Sequence, residues 1–124
     1  MLFRSNNIPG AIFVYTIEGN ILYANEELIR MFECKSLEDF MTFTGGTFKG
    51  IVHPDDYEEV EKSIKKQIEA DNGTFRDYIN FRIITKTGKV KNILDNGHLT
   101  EHKFFGKVFY VVMVDMDERK SGVD

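Results

Sequence analysis

The chain has 124 residues, 42% of them hydrophobic and 13% aromatic, which is one globular domain's worth of sequence and too apolar for a disordered segment. Lys and Arg number 16 against 20 Asp and Glu, a formal charge of −4, which argues against a nucleic-acid binder that works by neutralising phosphates. A lone cysteine, Cys34, excludes an internal disulfide and a multi-cysteine metal site, and no run approaches the ~20 apolar residues of a membrane span or the layout of a secretory signal. A soluble, cytoplasmic domain is the expectation.

In chain order, Ala11 to Ile17 and Ile21 to Ala24 are short apolar runs split by Glu18-Gly19-Asn20, the pattern of a β-hairpin. Asn25-Glu26-Glu27 then supplies an N-cap and two first-turn acids, predicting a helix of two to three turns through Leu28, Ile29, Met31 and Phe32. A second helix is expected over Ser36 to Phe43, capped by Ser36, with Leu37, Phe40 and Met41 on one face. Thr44 to Val52 carries Gly45, Gly46 and Gly50 and reads as a flexible loop. Pro54 to Ala70 gives the strongest helix signal. Pro54 suits the first helical position, acids precede lysines as the helix dipole prefers, and Tyr57, Val60, Ile64 and Ile68 form one stripe.

After Gly73 the period changes to two. Phe75, Asp77, Ile79, Phe81 and Ile83 alternate with Arg76, Tyr78, Asn80, Arg82 and Ile84. Thr87-Gly88 turns into a second strand over Lys89 to Glu101, and a third runs from Lys107 to Asp115. That last strand is apolar on both faces, so it belongs in the middle of a sheet, covered by helices on one side and by something else on the other. Strand pairs at both ends with helices between predict an α+β domain with an antiparallel sheet.

Catalytic patterns occur but do not assemble. Ser63 to Lys66, Lys86-Thr87-Gly88 and Tyr23-Ala24-Asn25 match the S-x-x-K, K-T-G and Y-x-N elements of serine β-lactamases, in the wrong order and in far too short a chain. Thr44 to Gly50 lacks the G-K-[ST] order of a phosphate loop. His98 and His102, four apart on a strand, stand ~13 Å from each other, too far to share a metal, and His53 reads as a helix cap or a satisfied surface residue. Cys34 has no assignable base, and Asp55, Asp56, Glu58 and Glu59 are explained by helix-end electrostatics. No catalytic set and no metal site are expected.

Four local patterns stand in one order along the chain. They are Gly10 to Val14 continuing through Gly19 to Asn25, then Ile51-Val52-His53-Pro54-Asp55-Asp56, then Lys86 to Val90, and last Val114-Asp115-Met116-Asp117-Glu118-Arg119-Lys120. Together they resemble a PAS domain of the type found in bacterial histidine kinases and in GGDEF/EAL cyclic-di-GMP enzymes. They match the family's opening hairpin, its HPDD start to the long helix, its third-to-fourth strand turn and its terminal signature. The resemblance spans about residues 8 to 120. Departures are Asn92 where the family often has Trp, Asp117 where it has Thr or Ser, and Phe104-Phe105-Gly106 at the last hairpin.

The resemblance implies a five-stranded antiparallel sheet in the order 2-1-5-4-3, with helices packed on one face around a small cavity. Its wall would draw on Phe32, Phe40, Phe43, Tyr57, Phe75 and Phe81, a set that could equally be plain core. It further implies a non-catalytic sensory module, excised from a larger signalling protein, that binds a small ligand or partner. A conformational signal would pass to a downstream histidine kinase or diguanylate cyclase/phosphodiesterase. Signal output falls to Asp115, Asp117, Glu118 and Arg119, with an Asp115–Arg119 ion pair as in the family. The only cysteine lies outside the NCRFLQ context of covalent flavin, and no histidine is clearly placed as a haem ligand, so neither cofactor is expected. The outer sheet face predicts a homodimer, and a ligand-free dimerisation module is the alternative. Phe104 and Phe105 form an exposed apolar pair that suggests a contact point.

Overall fold

The computed structural model describes residues 10–69 and 76–117. The chain enters as strand β1 (Ala11–Thr16) and reverses at Gly19, whose φ of +97° only glycine adopts without strain, into β2 (Ile21–Ala24). Helices α1 (Glu26–Met31), α2 (Leu37–Thr44) and α3 (Pro54–Glu69) follow, with a 3-10 turn at Phe48–Gly50 ahead of α3. Strands β3 (Arg76–Ile84), β4 (Val90–His102) and β5 (Gly106–Asp115) complete one sheet in the order β2-β1-β5-β4-β3, antiparallel throughout. The doubly apolar β5 is the central strand, as its composition requires.

One face of the sheet carries the core. Phe13, Tyr15, Phe81, Ile83, Ile93, Leu99, Phe109, Val111 and Met113 are all buried on it. The helices close over this face with Leu28, Phe32, Phe40 and Val60. Tyr15 stacks between Phe48, at 4.6 Å between ring centroids, and Phe109, at 5.1 Å. Phe48 comes from the glycine-rich segment expected to be a flexible loop. That segment is instead fixed. Asn20 pairs with Thr47 as an isolated bridge, the Thr47 hydroxyl caps the 3-10 turn at Gly50, and the buried Phe48 ring anchors it. Burial of one such ring is worth ~1.5–3 kcal/mol, which offsets part of the backbone entropy lost in ordering the segment.

Helix α1 is shorter than expected, six residues in all. Asn25 caps it as predicted, but the chain turns at Glu33, the one described non-glycine residue with positive φ (62°). Distant partners hold that turn. The Glu33 carboxylate accepts hydrogen bonds from the Thr85 and Thr87 hydroxyls at the β3–β4 turn, and Lys89 stands 3.6 Å away. Lys86 of the same turn donates its backbone N–H to Phe32 O and pairs with Asp39 of α2 at 2.5 Å. The β3–β4 turn is thereby pinned to the helical layer.

Helix α3 is fixed at its start to the edge strand β3. Asp56 accepts from the Arg82 backbone N–H at 2.8 Å and from its guanidinium at 2.6 and 3.1 Å, while His53 N–H donates to Arg82 O. Asp56, one of the paired acids expected to serve only the helix dipole, therefore also anchors the helix to the sheet.

Candidate functional site

The predicted output residues lie where the central strand leaves the sheet. Asp115 is the last residue of β5 and is half-buried with Lys91 of β4, the two charges 3.6 Å apart. Its Oδ1 accepts the Asp117 backbone N–H at 3.0 Å, turning the chain out of the strand. Asp117 then reaches back to β4, where it accepts from the Asn92 backbone N–H at 3.1 Å and from the Asn92 side-chain amide at 3.2 Å. Two acids two residues apart thus grip two consecutive residues of the neighbouring strand. Glu118 and Arg119, and with Arg119 the expected ion pair to Asp115, lie outside the described residues.

Lys91 and Asn92 were not singled out by the sequence. They belong to the site because Ile93 pairs with Asp115, which sets the two preceding residues of β4 opposite the outgoing chain. The signal was present only as a departure, Asn92 standing where a large ring is common. The amide there supplies the donor that binds Asp117. Glu27, Arg30 and Met31 of α1 complete a shallow pocket of about 210 Å³ over the Lys91–Asp115 pair.

The proposed cavity-wall residues divide into separate groups. Phe32 and Phe40 are fully buried with rings edge to face at 5.3 Å, while Phe43 stands at the rim, 38% exposed. Phe81 is buried against Phe48 at the other side of the core. Tyr57 is half-buried, with Lys49 Nζ 5.6 Å from its ring centre, and burial raises its hydroxyl pKa above the ordinary range. Phe75 lies outside the described residues.

More telling is a set of polar groups inside the core that the aromatic pattern hid. Tyr15 on β1, Asp95 on β4 and Gln67 on α3 are buried at 4%, 4% and 2% exposure. Burial, with the Asp95 charge next in importance, pushes the Tyr15 hydroxyl well above its usual pKa. Polar side chains at such depth are expensive unless they are engaged. They put polar side chains into the core, which an all-Phe wall would lack.

The opposite face of the sheet carries no described helix. Asn96, His98, Thr100, Tyr110 and Val112 line a groove of about 340 Å³ there, with Tyr110 47% exposed. The three histidines all serve away from the core. His98 lines this groove, His53 Nδ1 accepts from Asp55 N–H at the start of α3, and His102 Nδ1 accepts from Phe104 and Phe105 N–H at the β4–β5 turn. Cys34 is buried beside Phe32 O, and burial raises its thiol pKa. Among the described residues no cluster of three or more His, Cys, Asp or Glu could hold a metal, and no helix is long and apolar enough to cross a membrane.

A family model described as the PAS fold matches residues 21–114. No curated protein sequence matches the chain. Among solved structures, the PAS domain of an HTR-like protein from Haloarcula marismortui superposes with a TM-score of 0.68 at 15% identity, covering 88% of each chain. A PAS domain from Desulfitobacterium hafniense gives 0.69 at 16% identity, over 88% of this chain and 94% of that one. A sensory box histidine kinase/response regulator from Burkholderia thailandensis gives 0.67 at 14% identity, over 96% and 86%. At these identities the likeness is one of fold.

Proposed function

The chain belongs to the PAS family, and from that premise we propose that it is a sensory module that senses at its interior and reports through the end of β5. The observation that carries this reading is the double grip on the outgoing chain, Asp115 on Lys91 and Asp117 on Asn92. A shift of β4 relative to β5 would move both anchors at once, so a change in the core reaches whatever follows residue 117. The interior site would be built on the polar side chains buried in the core, Tyr15, Asp95 and Gln67. Its ligand is a small polar molecule rather than covalent flavin or haem, since Cys34 and the three histidines are all committed elsewhere. The effector is a histidine kinase or a diguanylate cyclase/phosphodiesterase joined to the C-terminal side, and the setting is cytoplasmic. The domain itself performs no catalysis.

The test is Asp115→Ala in the full-length protein. The account expects loss of the effector's response with the thermal midpoint of the domain lowered by only a few degrees. Parallel loss of fold and response assigns Asp115 to structure alone.

A second reading is favoured by one observation, the groove around Tyr110 on the uncovered sheet face. There the module forms a homodimer, and the signal is a change in how two copies sit together. Sedimentation equilibrium of the native chain and of Tyr110→Glu checks it, with a native dimer converted to monomer as the expected result.

A further inference from the structure

Two anchors of the fold meet in one row across the sheet. Arg82 of β3 and Asn92 of β4 are direct cross-strand partners. The Arg82 backbone is turned away from β4, since its N–H donates to Asp56 Oδ2 at 2.8 Å and its carbonyl accepts the His53 N–H at 2.8 Å. The Asn92 N–H is turned the opposite way and donates to Asp117 Oδ2 at 3.1 Å. Backbones turned outward on both sides make this a non-hydrogen-bonded antiparallel pair, the kind whose Cα atoms stand ~4.5 Å apart with side chains in closest approach. Each side chain repeats what its backbone does. The Arg82 guanidinium donates to both Asp56 oxygens, at 3.1 and 2.6 Å, and the Asn92 amide donates to both Asp117 oxygens, each at 3.2 Å.

One strand pair is thus held between two aspartates, Asp56 at the start of α3 and Asp117 on the outgoing chain. Asp56, Arg82, Asn92 and Met116 border a single pocket of about 400 Å³, which places the row on one continuous patch. The pairs on either side, Phe81 with Ile93 and Ile83 with Lys91, are by alternation the hydrogen-bonded ones, so β3 and β4 move together here. Lys91 in turn stands 3.6 Å from Asp115. The β4–β5 pairing ends at Ile93 with Asp115, and beyond it the Asp117 carboxylate takes the Asn92 N–H in place of a strand carbonyl.

We propose that Asp56 and Arg82 are positioning residues for the output latch. They fix Lys91 and Asn92 relative to the start of α3, so that displacement of α3 changes the hold on Asp115 and Asp117. This rests on the reading of the end of β5 as the output. Helix α3 is suited to be the moving part, because Val60 and Gln67 are buried and Tyr57, Ile64 and Ile68 pack against the core. A change in the core therefore bears on the helix whose first turn is bonded to Arg82. The other anchor of this hairpin, Glu33 with Asp39, acts on the β3–β4 turn, whereas Asp56 acts on the residue directly opposite Asn92.

Hydrogen exchange of the Asn92 amide reads the coupling in this chain without effector or ligand. Asp56→Ala should raise its exchange rate ~5-fold or more, and Asp56→Asn, which keeps an acceptor for the Arg82 N–H, should restore part of the protection. Val108→Ala, at a buried position of β5 outside the row, also lowers stability but should not match that rise. In the full-length protein, Asp56→Ala should alter effector output, and Asp56→Ala/Asp117→Ala should do no more than Asp117→Ala alone. Asn92 exchange unchanged by Asp56→Ala, or raised equally by Val108→Ala, overturns the proposal. Output altered by Asp117→Ala but untouched by Asp56→Ala overturns it as well and leaves the output reading standing. Output indifferent to Asp117→Ala refutes that reading itself and the proposal with it, so the two failures are told apart.

Discussion

Asn25 holds more of the fold than its size suggests. Its side-chain oxygen accepts the Leu28 N–H at 3.0 Å, which caps α1, and also the Ile12 N–H at 2.9 Å, which belongs to β1. Its amide nitrogen donates to Gly10 O at 3.4 Å, and its backbone N–H donates to Ile12 O. Asn25→Ala removes the cap, worth ~1 kcal/mol, and leaves the Ile12 N–H without its acceptor, worth a further ~1–2 kcal/mol. The expected loss is about 2.5 kcal/mol. With an unfolding entropy of ~2.1 cal/mol/K per residue, 124 residues give ~260 cal/mol/K, so the thermal midpoint should fall by ~10 °C. Asn25→Asp keeps the shared acceptor and loses only the long bond to Gly10, so its midpoint should fall by less than half as much. Differential scanning calorimetry of the three proteins reads both numbers. A fall under 3 °C for Asn25→Ala, or Asn25→Asp as damaging as Asn25→Ala, refutes the shared-acceptor reasoning.

Other consequences are as specific. At Gly50 a Cβ would stand 1.8 Å from Thr44 O, a backbone atom that cannot step aside, so Gly50→Ala should cost about 3 kcal/mol or more and release Phe48 from the core. A midpoint within 2 °C of the native protein would contradict this. Glu33 has its pKa lowered to about 2, chiefly by hydrogen bonds from Thr85 and Thr87 and further by Lys89. A depressed carboxylate stabilises the fold fully above its unfolded value of ~4.3 and loses that contribution as pH falls through about 2. Denaturant midpoints of native protein and Glu33→Gln should therefore differ by a constant amount from pH 6 to 8 and converge on acidification from about pH 5 to 2. Asp56 is likewise held below the carboxylate range by Arg82, and because the Arg82 backbone N–H is also a donor, Asp56→Ala should lower the midpoint more than Arg82→Met. Equal shifts would remove the backbone bond from the account.

The elements legible in the sequence are those whose cause is local. Pro54 with its acids fixed the start of α3, alternation from Arg76 to Ile84 marked β3, and the two apolar faces of β5 placed it centrally. Features set by distant partners were not legible. The early end of α1 depends on Glu33 meeting Thr85 and Thr87, more than fifty residues away. Phe48 looked like part of a glycine loop because nothing in its neighbourhood reveals that Tyr15 and Phe81 wait for it. At the candidate site, Asp115 and Asp117 were readable from the terminal signature, while Lys91 and Asn92 follow only from strand register. The buried Asp95 was hidden in a strand of mixed polarity, where inward and outward residues differ little in type.

The central claim is that the grip of β4 on the outgoing chain transmits the signal, and a double-mutant cycle tests it directly. The effector output of the full-length protein would be measured for Asn92→Ala, Asp117→Ala and the pair together. If the two residues act as one latch, each single change alters the output and the double variant adds nothing further. Output unchanged by either substitution, or effects that simply add, would contradict it.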